Sequence, residues 1–268
     1  MATKNISKHI LVFASVFCLF APPAGALRVV SLMPSYTEII FALGAGGELV
    51  GVSNFCNWPP EAEKLEKTGD YLRPNVEKVY SLRPDLVFSG YWAGSRVKDQ
   101  LSKLKIKVVR IPEEKSVADI FSTIKLIAEK LGRKAEGEKL VRELRAQLPA
   151  PKKSGPVSVY FETDAGGWTA GGDSFLSDVV FFSGGMNIFG KEKKGYFQAS
   201  WEEVLLLDPQ VVVLLSGSGE EFRKRPMAAG LAAVKAGRVI TSLDRDIFSR
   251  PGPRIFGEII KLRTLLEK

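Results

Sequence analysis

Asn75-Val76-Glu77-Lys78-Val79-Tyr80-Ser81-Leu82-Arg83-Pro84-Asp85-Leu86-Val87-Phe88 is echoed 125 residues later by Ser200-Trp201-Glu202-Glu203-Val204-Leu205-Leu206-Leu207-Asp208-Pro209-Gln210-Val211-Val212-Val213. Each copy opens on a residue that can cap free helical N–H groups. A short helix-length run follows, a proline turn ends it, and an apolar run of strand character comes next. Each copy also carries a glutamate two residues after its cap, where the helix dipole favours a carboxylate. A common αβ connection met twice by chance would look the same, but a second echo weighs against chance. Ser35 to Gly44 and Asp173 to Gly184 both run from a polar start through apolar helix to glycine, at an offset of 140. The echoes keep their order and differ by 15 residues in spacing, as two related lobes would. The period is too long, and the copies too few, for a solenoid.

Around these echoes strands and helices alternate. Arg28 to Leu32 is a short β run, and Ser35-x-x-Glu38 has the spacing of a capping box opening a helix that Gly44 closes. Further strands are expected at Leu49 to Ser53, Leu86 to Ser89, Lys107 to Ile111, Pro156 to Phe161, Val211 to Leu215 and Arg238 to Thr241, with a last helix at Ile255 to Leu266. This alternation predicts parallel sheets covered by helices on both faces. Two amphipathic helices, Ser116 to Leu131 and Ala135 to Leu148, form the middle of the chain, and Pro149, Pro151 and Pro156 break it. The expected organisation is an N-terminal lobe over 27–115, a helical linker region over 116–152 and a C-terminal lobe over 153–268.

Residues 1–26 have the form of an export signal. Lys4 and Lys8 make a positive start, Ile10 to Phe20 is an apolar stretch too short to span a bilayer, and Ala24-Gly25-Ala26 is a cleavage site. Cys18 follows Phe17, where a lipoprotein signal wants a small residue, so a secreted, periplasmic product starting at Leu27 is expected rather than a lipid-anchored one. The remaining 242 residues carry 36 basic and 30 acidic side chains, a net charge of +6. The charges are scattered over helix faces, without the basic surface and interleaved aromatics of a nucleic-acid binder. The single histidine, His9, lies in the signal, and Cys56 is the only cysteine after it. Histidine-based metal sites, Ser-His-Asp or Cys-His catalytic units and an intramolecular disulfide are thereby excluded.

In open α/β sheets a ligand lies beyond the carboxyl ends of the strands, and there this chain is aromatic. Phe55 and Trp58 follow the second strand, Tyr91 and Trp92 the third, and Trp168 sits in a glycine-rich loop after the first strand of the C-terminal lobe. Tyr71 and Tyr196 precede the two repeated helices, and Arg250 follows the last strand. Any one of these could be an ordinary packing residue; as a group they offer rigid flat area for a large flat ligand.

The same residues resemble the periplasmic cobalamin-binding proteins of ABC importers, within the wider family that binds cobalamin, haem and ferric siderophores. The likeness lies in Arg28 to Glu38, in Gly51-Val52-Ser53-Asn54-Phe55-Cys56-Asn57-Trp58-Pro59-Pro60, and in Asn75 to Glu77 with Arg83 to Val87. Gly184 to Phe189 and Pro253-Arg254-Ile255 extend it to the second half, so it covers nearly the whole chain after the signal. It implies an α/β fold of two Rossmann-like lobes with parallel sheets, joined by a single long helix, the helical-backbone design of substrate-binding proteins. It implies a non-enzymatic monomer that carries cobalamin as transported ligand, not cofactor, to a permease in the inner membrane. By motif position the ligand would meet Phe55, Tyr71, Tyr91, Trp92, Trp168, Tyr196 and Arg250, while Glu77 and Glu202 would dock on arginines of the two permease halves.

Two other readings stand beside it. Haem would need an axial tyrosine such as Tyr71, Tyr91 or Tyr196. A carboxylate- or catecholate-bearing siderophore would want free arginines, with Arg73, Arg96, Arg250 and Arg254 as candidates. A secreted enzyme would need a carboxylate pair on the cleft loops. Asp164 and Asp173 flank the glycine loop, but their positions suit turn and helix capping. The export signal has a direct check: intact mass of the exported protein should place the N-terminus at Leu27, and a retained Met1 or a diacylglyceryl group on Cys18 would overturn the assignment.

Overall fold

The computed structural model describes residues 27–150 and 155–268, apart from the side-chain surroundings of residues 94 and 95. The expected signal over 1–26 and the expected lobe boundary at 152/153 lie outside the described residues. The first half comprises β1 (Val29–Ser31), α1 (Pro34–Ala42), β2 (Leu49–Val52), α2 (Val76–Ser81), β3 (Leu86–Ser89), α3 (Gly94–Lys103) and β4 (Lys107–Arg110). Its sheet has the order β2-β1-β3-β4 and every pairing is parallel. Neighbouring residues of β1 point to opposite faces and both are buried: Val29 packs with α1, while Val30 packs with Val79 of α2 and Val97 and Leu101 of α3. Burial on both faces explains why the strands are apolar runs and not alternations.

α4 (Val117–Lys130) and α5 (Lys134–Gln147) lead to the second half. It contains β5 (Val157–Asp164), β6 (Trp168–Ala170), α6 (Phe175–Phe182), β7 (Gly185–Asn187), β8 (Tyr196–Gln198), α7 (Trp201–Leu207), β9 (Val211–Leu214), α8 (Gly219–Arg223), α9 (Ala232–Lys235), β10 (Val239–Ile240), α10 (Arg245–Phe248) and α11 (Ile255–Leu266). β10, β9, β5 and β7 pair in parallel, whereas β6 and β8 add as antiparallel strands, so this sheet is mixed where a parallel one was expected. The eight-residue β5 makes this possible: its first half pairs with β7 and its last residues with β6.

The sequence echoes become structural ones. Asn75 and Ser200 cap α2 and α7, accepting from Lys78 N–H and Glu203 N–H. Arg83 and Asp208, before the two turn prolines, both adopt positive φ, at 48° and 38°. Asp85 N–H donates to the Arg28 carbonyl (2.8 Å) and its carboxylate accepts from Arg28 N–H (2.8 Å). Gln210 repeats this with Ser158, at 3.0 and 2.9 Å. Gly44 and Gly184 end α1 and α6 at φ of 72° and 85°, a conformation that costs glycine little.

The two-lobed α/β design is the one expected, and its two middle helices match those read from the sequence. Gly132, at φ 69°, ends the first of two 14-residue helices, and α5 folds back onto α4. α4 packs on α1 of the first lobe and α6 of the second, and α5 on α11. The Phe121 and Phe256 rings stack at 5.2 Å across this junction, and Val117 N–H donates to Asp178 (2.9 Å). One hydrophobic cluster runs from Val29 and Phe88 through α4 to Val159 and Phe161. The lobes therefore meet over a shared core.

Candidate ligand-binding cleft

The loops at the carboxyl ends of the strands converge between the lobes. Phe55 and Tyr71 stand edge to face at 5.7 Å, and Tyr91 and Trp92 at 5.9 Å. Arg110 holds the second pair from below, donating to the Tyr91 carbonyl (3.0 Å) with its guanidinium 5.1 Å from the Tyr91 ring. From the other lobe, Trp168 and Tyr196 come from strands, not from the glycine loop or a helix approach. Ala165, Gly166 and Gly167 only make the turn between β5 and β6. In the antiparallel β6–β8 pairing Trp168 lies opposite Gln198 and Ala170 opposite Tyr196, so Trp168 and Tyr196 share one face. Phe197 takes the other face and packs against Phe189 at 5.4 Å.

Phe55, Tyr71, Trp92, Trp168, Tyr196 and Arg250 line one cavity of about 780 Å³. Tyr91 lines instead an adjoining annex of about 210 Å³ that shares Met33, Trp92, Tyr196 and Ser249 with it. The rings on the main wall are largely open: Phe55 and Trp92 are each 50% exposed and Trp168 46%. Exposed aromatic area in a concave site is area still free to be buried by a ligand.

Arg250 lines the cavity, yet its guanidinium is committed to the protein. It donates to Glu38 (3.1 Å), Asn57 Oδ1 (2.7 Å), the Phe55 carbonyl (3.1 Å) and Asp246 (2.9 Å). Arg254 Nε donates to the other oxygen of Glu38 at 3.0 Å and its guanidinium lies 4.9 Å from the Trp58 ring. Glu38 is 4% exposed and so serves as a buried clamp between lobes. The expected capping box does not form. Pro34, favoured at a first helical position, starts α1 one residue early with Met33 as cap. Ser35 is left inside the helix with a buried, unpartnered hydroxyl. Cys56 is buried among Thr37 and Ser53 hydroxyls at 3.1 and 3.2 Å and does not face the cleft.

Glu113 and Glu114, on the loop after β4, face the annex. Burial pushes the Glu114 carboxyl up to about 7, opposed by the hydrogen bond from Thr123 (2.9 Å) and reinforced by the charges of Asp119 and Glu113. Burial raises Glu113 as well. The Tyr196 hydroxyl is pushed up to about 12 by burial, opposed by a hydrogen bond with Ser174 and reinforced by the charges of Glu113 and Glu114. Outside the cleft, Glu77 and Glu202 hold matching exposed places in the first turns of α2 and α7. They differ in one respect: Ser200 Oγ donates to Glu202 (2.7 Å) and holds its carboxyl below the ordinary range.

Comparison with known proteins agrees with this architecture. The profile of the periplasmic binding protein family matches residues 29–245. The chain belongs to that family. Members are solute carriers, and the chain is 32% identical to an uncharacterised ABC transporter substrate-binding lipoprotein of Bacillus subtilis, over 88% of this chain and 78% of that one. It is 30% identical to a vitamin B12-binding protein of Photorhabdus laumondii, covering 95% and 92%. Among solved structures, the periplasmic vitamin B12-binding protein of Vibrio cholerae is 28% identical with a TM-score of 0.73, covering 90% and 97%. A periplasmic haem-binding protein of Roseiflexus sp. RS-1 is 27% identical with a TM-score of 0.79, covering 90% and 98%. The family likeness thus fixes the kind of protein and leaves its ligand to the cleft.

Within this family member, sequence reasoning missed Glu38, Asp246, Glu113, Glu114 and Tyr36. For Glu38 the signal was present, since proline at a first helical position competes with a capping box one residue later. The glutamates carried none, because their burial depends on α4 and β8 packing over them. Glu114 gives a pH test. Its carboxyl is raised above its unfolded value near 4.5, so it opposes folding as pH climbs from about 4.5 to about 7 and fully above that. Glu114→Gln should be more stable than the parent by roughly 2–3 kcal/mol at pH 8 and no more stable at pH 4. Denaturant melts of both proteins across pH check this, and a constant difference would refute the assignment.

Proposed function

We propose that this periplasmic binding protein captures cobalamin, or a related corrinoid, in the inter-lobe cavity and delivers it to an ABC importer at the inner membrane. The observation that carries the reading is the wall itself: five aromatic residues from both lobes around one cavity of about 780 Å³. A broad, rigid ring system with uncharged arms suits such a wall. The vitamin B12-binding relatives at about 30% identity support the same ligand.

The charge pattern favours a corrinoid over the anionic alternatives. The arginines lining the larger cavity, Arg245 and Arg250, both carry carboxylate partners, Asp164 and Asp246 among them. Arg254 is engaged by Glu38, and Arg73 and Arg96 are exposed and line neither cavity. A siderophore rich in carboxylates would find little uncommitted positive charge.

Titration calorimetry with cobalamin, cobinamide, haemin and ferric siderophores decides among them. One corrinoid should bind per protein and quench tryptophan fluorescence, and Trp168→Ala should weaken binding by about 1–3 kcal/mol. Heat from haemin or a siderophore with none from any corrinoid would transfer the assignment.

Docking is assigned to Glu77 and Glu202, one on each lobe, as charged pegs for cationic sites on the two permease halves. The alternative is that each merely suits its own helix start, at about 0.3–1 kcal/mol. Glu77→Ala with Glu202→Ala should leave ligand affinity and folding near normal while lowering capture by reconstituted permease and uptake in cells, more so at low salt. Normal transport by the double variant at normal protein levels would sink the docking role.

A further inference from the structure

The annex beneath the aromatic wall has a composition unlike the rest of the cleft. Glu113 and Glu114 enter it from the loop after β4; among the described residues no lysine or arginine lines it, and the charge of Lys115 offsets only part of the burial that raises Glu113. Tyr36 of α1 stands in its wall at 1% exposure, beside the charge of Glu114, and its hydroxyl takes part in no hydrogen bond among the described residues. A phenol on a cavity wall with no hydrogen bond inside the protein is a donor free for a ligand. Glu114 spends one oxygen on Thr123 and retains acceptor capacity, since a carboxylate offers about four lone-pair sites. The annex adjoins the main cavity, with Met33, Trp92, Tyr196 and Ser249 bordering both. It therefore presents carboxyl acceptors and one phenol donor, between aromatic side chains, in a space of about 210 Å³ that is too small for a ring system.

Resting on the corrinoid reading above, we propose that the annex is a subsite for a primary carboxamide arm of the ligand. The amide NH₂ donates to Glu113 and Glu114, and the amide oxygen accepts from the Tyr36 hydroxyl. The pairing gives the phenol an acceptor and adds no buried charge. A carboxylate arm of the same shape fails twice: it has no hydrogen to give the glutamates, and it sets a third anion beside them. The annex thereby makes the cleft selective for ligands whose peripheral arms are amides, as in cobalamin, and hostile to those whose arms are acids, as in haem.

The test uses cobalamin and its monocarboxylates, each with one peripheral carboxamide hydrolysed, titrated at pH 8 into the parent protein, Glu113→Gln with Glu114→Gln, and Tyr36→Phe. At least one monocarboxylate isomer should bind the parent about tenfold or more weakly than cobalamin, or ~1.4 kcal/mol. That gap should narrow to about threefold or less in the double Gln variant, where the anions are gone. Tyr36→Phe should keep the parent melting temperature, because its hydroxyl has no partner in the protein, while weakening cobalamin. Monocarboxylates that all bind the parent as cobalamin does, or an unchanged gap in the double variant, would overturn the subsite and leave the corrinoid reading standing. No binding of cobalamin to the parent would overturn both.

Discussion

Glu38 holds the two lobes at a fixed distance. One carboxylate at 4% exposure accepts from Arg250 and Arg254, and Arg250 reaches on to Asn57, the Phe55 carbonyl and Asp246. Removing such charges from water is costly, and a buried ion pair seldom adds net stability over an apolar replacement. What it supplies here is geometry. Every acceptor of Arg250 lies on a segment that borders the cavity, so the guanidinium fixes the Phe55 loop of one lobe against the turn after α10 of the other. Behind it, the core shared through α4, α5 and α11 leaves few bonds about which the lobes could swing. A cleft built this way offers its aromatic wall already in place, and less of the gross contact energy is lost to ordering on binding.

The electrostatics of the cleft follow from the same economy of charge. Arginine enters it only with a carboxylate partner, whereas the carboxyls of Glu113 and Glu114 enter without a cation in the annex. The cleft is thus aromatic above and acceptor-rich below, an arrangement that sorts ligands by the charge of their arms more than by size.

Much of the fold was legible because it rests on local chemistry. Caps at Asn75 and Ser200, the proline turns after them and the glycines ending α1 and α6 act within a few residues, and sequence displays such signals directly. Placement of the aromatic residues after strands was legible for the same reason, even where the element was not. Trp168 lies in a strand because β8 pairs with β6, a long-range choice that the intervening glycines conceal. Glu38 misled because two local signals competed and the proline prevailed. The break between the two middle helices was legible as well, since Gly132, which adopts positive φ, falls between the two amphipathic runs.

The two lobes also show where a duplicated scaffold is free to change. The strand partners Arg28 and Ser158 stand 130 residues apart, the glycines ending α1 and α6 stand 140 apart, and the caps of α2 and α7 stand 125 apart. The second lobe has therefore gained 10 residues between its first strand and first helix, and it lacks 15 between that helix and the next. The gained segment is the turn and strand that present Trp168. The extra residues of the first lobe fall in the stretch that carries Phe55 and Tyr71. Asp85 and Gln210, which tie each second strand to the first, keep the same distance from the caps Asn75 and Ser200, because a slip of one residue would turn a buried strand inside out. Loops beyond the strand ends meet no such constraint. The length differences thus fall in the segments that build the aromatic wall, while matching positions on the outer surface, Glu77 and Glu202, stay in register. Two lobes of one design can in this way present different walls to a ligand between them and like faces to a partner outside.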